Sequence, residues 1–123
     1  MNEIQTRRRI ANASTLLLAM IIVFLTLTPV TAPNIIGSAS DKLYHVIAFA
    51  ALTFPMALLY PPRAKTVLIC AIVLGAAIEI IQPMVGRTAS LLDFVADLIG
   101  ALLGTFAGRI FGRLLLRQQV SYP

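Results

Sequence analysis

Charge is scarce in this sequence: 12% of its 123 residues are Asp, Glu, Lys or Arg, against 59% hydrophobic. A soluble chain of this size covers one core with charged side chains, and too few are present here to coat such a surface. Tryptophan is absent, and the mean hydropathy is +0.89. The single cysteine, Cys70, excludes an intrachain disulfide; lying mid-run among apolar residues, it reads as a packing residue. Alternating polar and apolar residues are also missing, which excludes a transmembrane barrel. No repeat, low-complexity tract or long linker appears, so residues 1–123 read as a single domain. These absences leave an all-α, polytopic membrane protein whose solvent is mostly lipid.

Four apolar segments are present, at about 10–28, 43–60, 65–82 and 90–112. Pro29, the pair Pro61 and Pro62, and Pro83 close the first three. A helix needs roughly 20 residues to cross the hydrocarbon core, so each segment is long enough and a four-transmembrane-helix bundle is expected. The first segment follows Arg7, Arg8 and Arg9 as a secretory signal would, but its apolar run exceeds the usual ~7 to 15 residues. It is therefore expected to remain as an uncleaved helix.

Cytoplasmic loops retain lysine and arginine, which sets orientation. With the N-terminus inside, that side holds Arg7, Arg8, Arg9, Arg63, Lys65, Arg109, Arg113 and Arg117, while the other holds only Lys42 and Arg87. Both termini are thus expected to be cytoplasmic. The net charge of +5 then reflects topology and contact with anionic membrane lipids, and gives no reason to invoke nucleic acid.

The acids are not scattered. Asp41, Glu79, Asp93 and Asp97 fall at the outer ends of the second, third and fourth segments, together with Lys42, His45, Gln82, Arg87 and Ser90. Asp41 and His45, Glu79 and Gln82, and Asp93 and Asp97 are three or four positions apart, so each pair shares a helix face. Below Asp97 that face continues as Gly100, Gly104 and Gly108, a spacing that lets helices approach closely; Gly75 plays the same part below Glu79. An ionised group facing lipid would cost several kcal/mol, so the polar faces are expected to converge on a hydrated pocket.

"DKLYHVIAF" followed by "GAAIEIIQPMVGRTASLLDFVADLIGALLG" resembles the VanZ-like family of small bacterial membrane proteins, named for a protein associated with teicoplanin resistance. The matching elements are Asp41, Lys42 and His45; Glu79 and Gln82; Gly86, Arg87 and Ser90; then Asp93, Asp97, Gly100 and Gly104, over roughly residues 40–108. Asp97 departs from the pattern, standing where the family more often has Asn. The resemblance implies a multi-pass protein of the bacterial cytoplasmic (inner) membrane and, in some members, reduced susceptibility to lipophilic glycopeptides. It implies no settled reaction or ligand.

Each polar residue has a functional and a structural reading. His45 can accept a proton with Asp41 orienting its ring, or tie helix ends together. Glu79 can act as a general acid or base, or form half of an ion pair. Arg87 can clamp a phosphate or carboxylate, or bridge to Asp93 or Glu79. Ser90 and Asp93 fit a near-capping box at the start of the fourth helix, which accounts for them more simply than a Ser90–His45–Asp93 hydrolase would. His45, Glu79 and Asp93 are the candidates for catalysis, should there be any. No metal-ligand spacing such as HxxxH or a cysteine pair appears; a hard cation held by carboxylates is conceivable, zinc is disfavoured, and no metal or cofactor is expected.

Two functions fit. The pocket binds or modifies a lipid-linked or anionic envelope molecule, such as a phospholipid or a peptidoglycan lipid precursor, or the polar cluster only locks the helices of an accessory protein. A proton-linked transporter fits less well, because the inner half of the helices lacks ionisable residues. The Gly100, Gly104 and Gly108 seam is expected to pack within the chain or against a second copy.

Overall fold

The computed structural model describes residues 2–29 and 37–116; Arg117 lies outside them. Its long elements are α1 (Glu3–Leu27), α2 (Gly37–Leu59), α3 (Ala64–Ile81) and α4 (Leu91–Leu116), with 3₁₀ turns at Pro61–Arg63 and Gln82–Val85 and no strand among the described residues. Among the described residues, four helices are long and apolar enough to cross a membrane: Glu3–Leu27, Asp41–Leu59, Pro61–Val85 and Leu91–Leu116.

α1, α2 and α4 outrun the apolar segments, and local bonding sets several of the helix ends. At the start of α1 the Asn2 side chain accepts from the Gln5 N–H at 2.9 Å, and Glu3 pairs with Arg7 one turn on, carrying the helix through the arginines. The 3₁₀ turn after α3 stops at Gly86, whose φ of 77° is a left-handed conformation that favours glycine. The Arg87 N–H then closes back on the Gln82 carbonyl at 2.9 Å.

Polarity is inverted relative to a soluble domain. Leu16, Phe24, Leu103, Phe106 and Leu114 are exposed, whereas Thr53, Gln82, Asp93, Asp97 and Thr105 are buried. That distribution suits lipid outside and a polar interior. Cys70 is exposed on α3, not packed in the core as its apolar neighbours suggested.

The glycine face of α4 packs on α2 within the chain. A methyl on Gly100 would overlap the Val46 carbonyl, one on Gly104 the Ala50 carbonyl, and one on Gly108 would fall 2.7 Å from the Phe54 carbonyl oxygen; one on Gly112 would fall 2.8 Å from the Leu58 carbonyl oxygen. Each glycine therefore meets the residue 54 positions before it, a constant offset that makes α2 and α4 parallel. The seam runs one turn further than the sequence suggested, and α2 packs into it within the chain. Thr53 Oγ1 adds a bond across the seam, donating to the Ala101 carbonyl at 2.9 Å.

Candidate functional site

Parallel packing of α2 and α4 sets their N-terminal ends side by side and brings Asp41, Lys42 and His45 against Asp93 and Asp97. Lys42 pairs with Asp93 Oδ1. His45 Nδ1 lies 2.7 Å from Asp97 Oδ1, and its Nε2 lies 3.9 Å from Asp93 Oδ2. An ionised carboxylate only accepts, so with Asp97 ionised the donor in this bond is Nδ1–H. Asp93 occupies the first turn of α4, where the helix dipole favours negative charge. Asp97 is 1% exposed, and its Oδ2 faces the bare Cα of Gly75, where an added Cβ would lie 3.2 Å away.

A second polar group gathers at the end of α3. Glu79 Oε2 accepts the backbone N–H of Ser90 at 2.7 Å, while Gln82 Nε2 donates to the Thr26 carbonyl at 3.3 Å. Arg87 Nη1 donates to the Thr28 carbonyl at 3.0 Å. Glu79 Oε1 and Gln82 Oε1 are buried without a hydrogen-bond partner among the described residues.

Three local expectations change. The buried carboxylate that holds the imidazole ring belongs to Asp97 of α4, not to its helix neighbour Asp41. The start of α4 is capped from another helix, because the Glu79 carboxylate takes the Ser90 N–H while Asp93 turns to Lys42. Arg87 reaches the end of α1, and the hydrogen bond described for it goes neither to Asp93 nor to Glu79. The ring nitrogens of His45 face two carboxylates, which is not the geometry of a Ser90–His45–Asp93 nucleophile.

A groove of about 430 Å³ opens between α1 and α2 beside these groups. Ile22, Leu25, Ala48 and Phe49 form its apolar wall, and Asp41, Tyr44, His45, Thr28 and Arg87 its polar end. Of the nine predicted binding residues, Asp41, His45 and Arg87 line it, whereas Lys42, Glu79, Gln82, Ser90, Asp93 and Asp97 are not part of its lining. Sequence reading missed the contribution of α1. Thr26 and Thr28 act through backbone carbonyls, which leave no residue-type signal, and the apolar wall looks like any lipid-facing surface. No protein-family model, curated protein or solved structure matches the chain.

Proposed function

We propose that this is a VanZ-like, multi-pass protein of the bacterial cytoplasmic membrane, with both termini cytoplasmic. Its α1–α2 groove faces the outer leaflet and binds or modifies an amphiphile with an anionic headgroup, such as a phospholipid or a lipid-linked envelope precursor. The carrying observation is the groove's division into an apolar wall of Ile22, Leu25, Ala48 and Phe49 and a polar end that includes Arg87. A tail of one chemistry and a head of the other match that division, and an arginine fork suits phosphate or carboxylate. The distribution of lysine and arginine supports the orientation.

Native mass spectrometry of the purified protein tests the reading. An anionic amphiphile is expected to copurify, and to be lost in Arg87→Gln, which keeps a donor for Thr28, and in Ala48→Phe, which fills the groove. Unchanged copurification in both variants overturns it. The proposed link to glycopeptide susceptibility is tested by comparing teicoplanin inhibition of cells with and without the protein.

One observation favours a second reading. Lys42–Asp93, His45–Asp97, Glu79–Ser90, Gln82–Thr26 and Arg87–Thr28 each join different elements, as a purely architectural cluster would. Under that reading His45→Ala, Glu79→Gln and Arg87→Ala lose the folded protein together with its phenotype. Under the first they remain folded in the membrane and lose the phenotype alone.

A further inference from the structure

Asp41 and His45 of α2 and Asp93 of α4 each present a ligating atom, and these atoms lie within 4.8 Å of one another. Two helices supply them, so the α2–α4 packing, not a sequence motif, sets their spacing. The imidazole is already oriented. Asp97, 1% exposed, lies 2.7 Å from Nδ1; in the tautomer with the proton on Nδ1, the Nε2 lone pair stands on the side of Asp93, 3.9 Å from its Oδ2. Metal-binding histidines are held in this way, with the ring N–H on a carboxylate and the other nitrogen on the ion. Charge gives an independent indication. Among the described residues, Asp41, Asp93 and Asp97 gather three carboxyl groups around Lys42 and His45 at the end of membrane-spanning helices, where unbalanced charge is expensive.

We propose that Asp41, His45 and Asp93 bind one divalent first-row transition ion, of the Mn²⁺ to Zn²⁺ kind, with Asp97 as the positioning residue behind His45. One imidazole nitrogen with two carboxylate oxygens suits these ions better than Mg²⁺ or Ca²⁺, which favour all-oxygen sites. Ligand bonds of about 2.0–2.2 Å require the donor atoms to draw together slightly, and Asp41, the exposed member, is free to swing. Asp93 serves two partners, with Oδ1 on Lys42 and Oδ2 turned to the ion. Asp41 and His45 also line the groove, so open coordination positions face it and would meet an anionic headgroup. The ion site requires no bound amphiphile, so it stands or falls separately from the proposed function.

The test uses the full chain without a histidine tag, stripped with a chelator in detergent. Mn²⁺ is titrated by electron paramagnetic resonance and Zn²⁺ by calorimetry, both against excess Mg²⁺. One ion per chain is expected, with binding abolished in His45→Gln and Asp93→Asn. Asp97→Asn should weaken binding about 10- to 100-fold. It should also alter the nitrogen coupling of bound Mn²⁺ to the imidazole, a signature that lost packing alone does not move. Absence of stoichiometric binding by the wild type overturns the proposal. So does undiminished binding in Asp41→Asn, whose exposed side chain can be changed without unfolding the bundle.

Discussion

His45 Nδ1 on α2 lies 2.7 Å from Asp97 Oδ1 on α4, a bond across the seam between two parallel helices. Among the described residues the other oxygen of Asp97 has no hydrogen-bond partner, and it faces Gly75 of α3. Three helices thus meet at one carboxylate, and the missing side chain at Gly75 leaves the room it needs. Because the pair is buried, its two halves are not equivalent. With Asp97 ionised and the proton on Nδ1, removing the imidazole leaves a buried carboxylate without its donor, whereas removing the carboxylate leaves a neutral ring.

His45→Ala should therefore destabilise the bundle by about 3–5 kcal/mol, the usual cost of leaving a buried charge unpaired. Asp97→Ala should cost less. The double variant should be more stable than the sum of the single losses implies, since neither group is left stranded. Denaturation in detergent followed by circular dichroism measures all three. Strict additivity would show that the two side chains do not act as a pair.

Much of this arrangement was legible in the sequence, for identifiable reasons. The apolar runs reveal the four helices because lipid permits no charged outer face, and the spacing of Gly100, Gly104 and Gly108 reveals a close-packed side of α4. The partner of that side was not legible. Val46, Ala50, Phe54 and Leu58 of α2 meet the glycines chiefly through backbone, which any residue would supply. The same blindness applies to Gln82 and Arg87, whose acceptors are the Thr26 and Thr28 carbonyls. His45 was assigned to Asp41 because helical spacing ranks neighbours within a helix, and only the parallel register places Asp97 opposite the ring.

The seam predicts a graded response to added methyl groups. Gly104→Ala places a Cβ against the Ala50 backbone and Thr53 Oγ1, so α2 and α4 must separate along their length. A loss of about 1–3 kcal/mol is expected, as for other overpacked sites. Gly86→Ala meets open space and pays only for its φ of 77°, roughly 1–2 kcal/mol. Thermal unfolding in detergent should also show lost contact between α2 and α4 in the first variant alone, by crosslinking of cysteines placed on the two helices. Equal crosslinking in both would contradict the seam.

Thr53 and Thr105 send their hydroxyls to one acceptor, the Ala101 carbonyl, at 2.9 and 2.8 Å. Only the first bond crosses between helices. Thr53→Val should cost about 0.6 kcal/mol, the average found for interhelical hydrogen bonds in a membrane protein. Thr105→Val should have a smaller effect, because its bond lies within one helix turn. The reverse order, measured by the same denaturation, would remove Thr53 from the interface.

Glu79 acts on α4 through its carboxylate oxygen, so shape and charge can be separated. Glu79→Gln keeps an oxygen for the Ser90 N–H, whereas Glu79→Ala leaves that donor without its acceptor. The alanine variant should lose about 1 kcal/mol, as helices do when an N-cap is removed, and the glutamine variant less. Hydrogen exchange at the first turn of α4 locates the loss. Equal exchange in the alanine variant and the wild type would show that the cap does not hold that turn.

Orientation is the remaining prediction, and it follows from chain direction as well as charge. Alternating helices put the start of α1, the α2–α3 turn at Pro61–Arg63 and the end of α4 at one face of the bundle. Arg7, Arg8, Arg9, Arg63, Lys65, Arg109 and Arg113 gather there, while Lys42 and Arg87 stand at the other face, where Lys42 pairs with Asp93. Moving the first group across the membrane would carry seven cations against the positive-inside bias. A reporter active only in the cytoplasm should work when fused after Arg63 and fail when fused after Arg87. The opposite pattern would turn the groove toward the cytoplasm, and its amphiphile would then have to come from the inner leaflet.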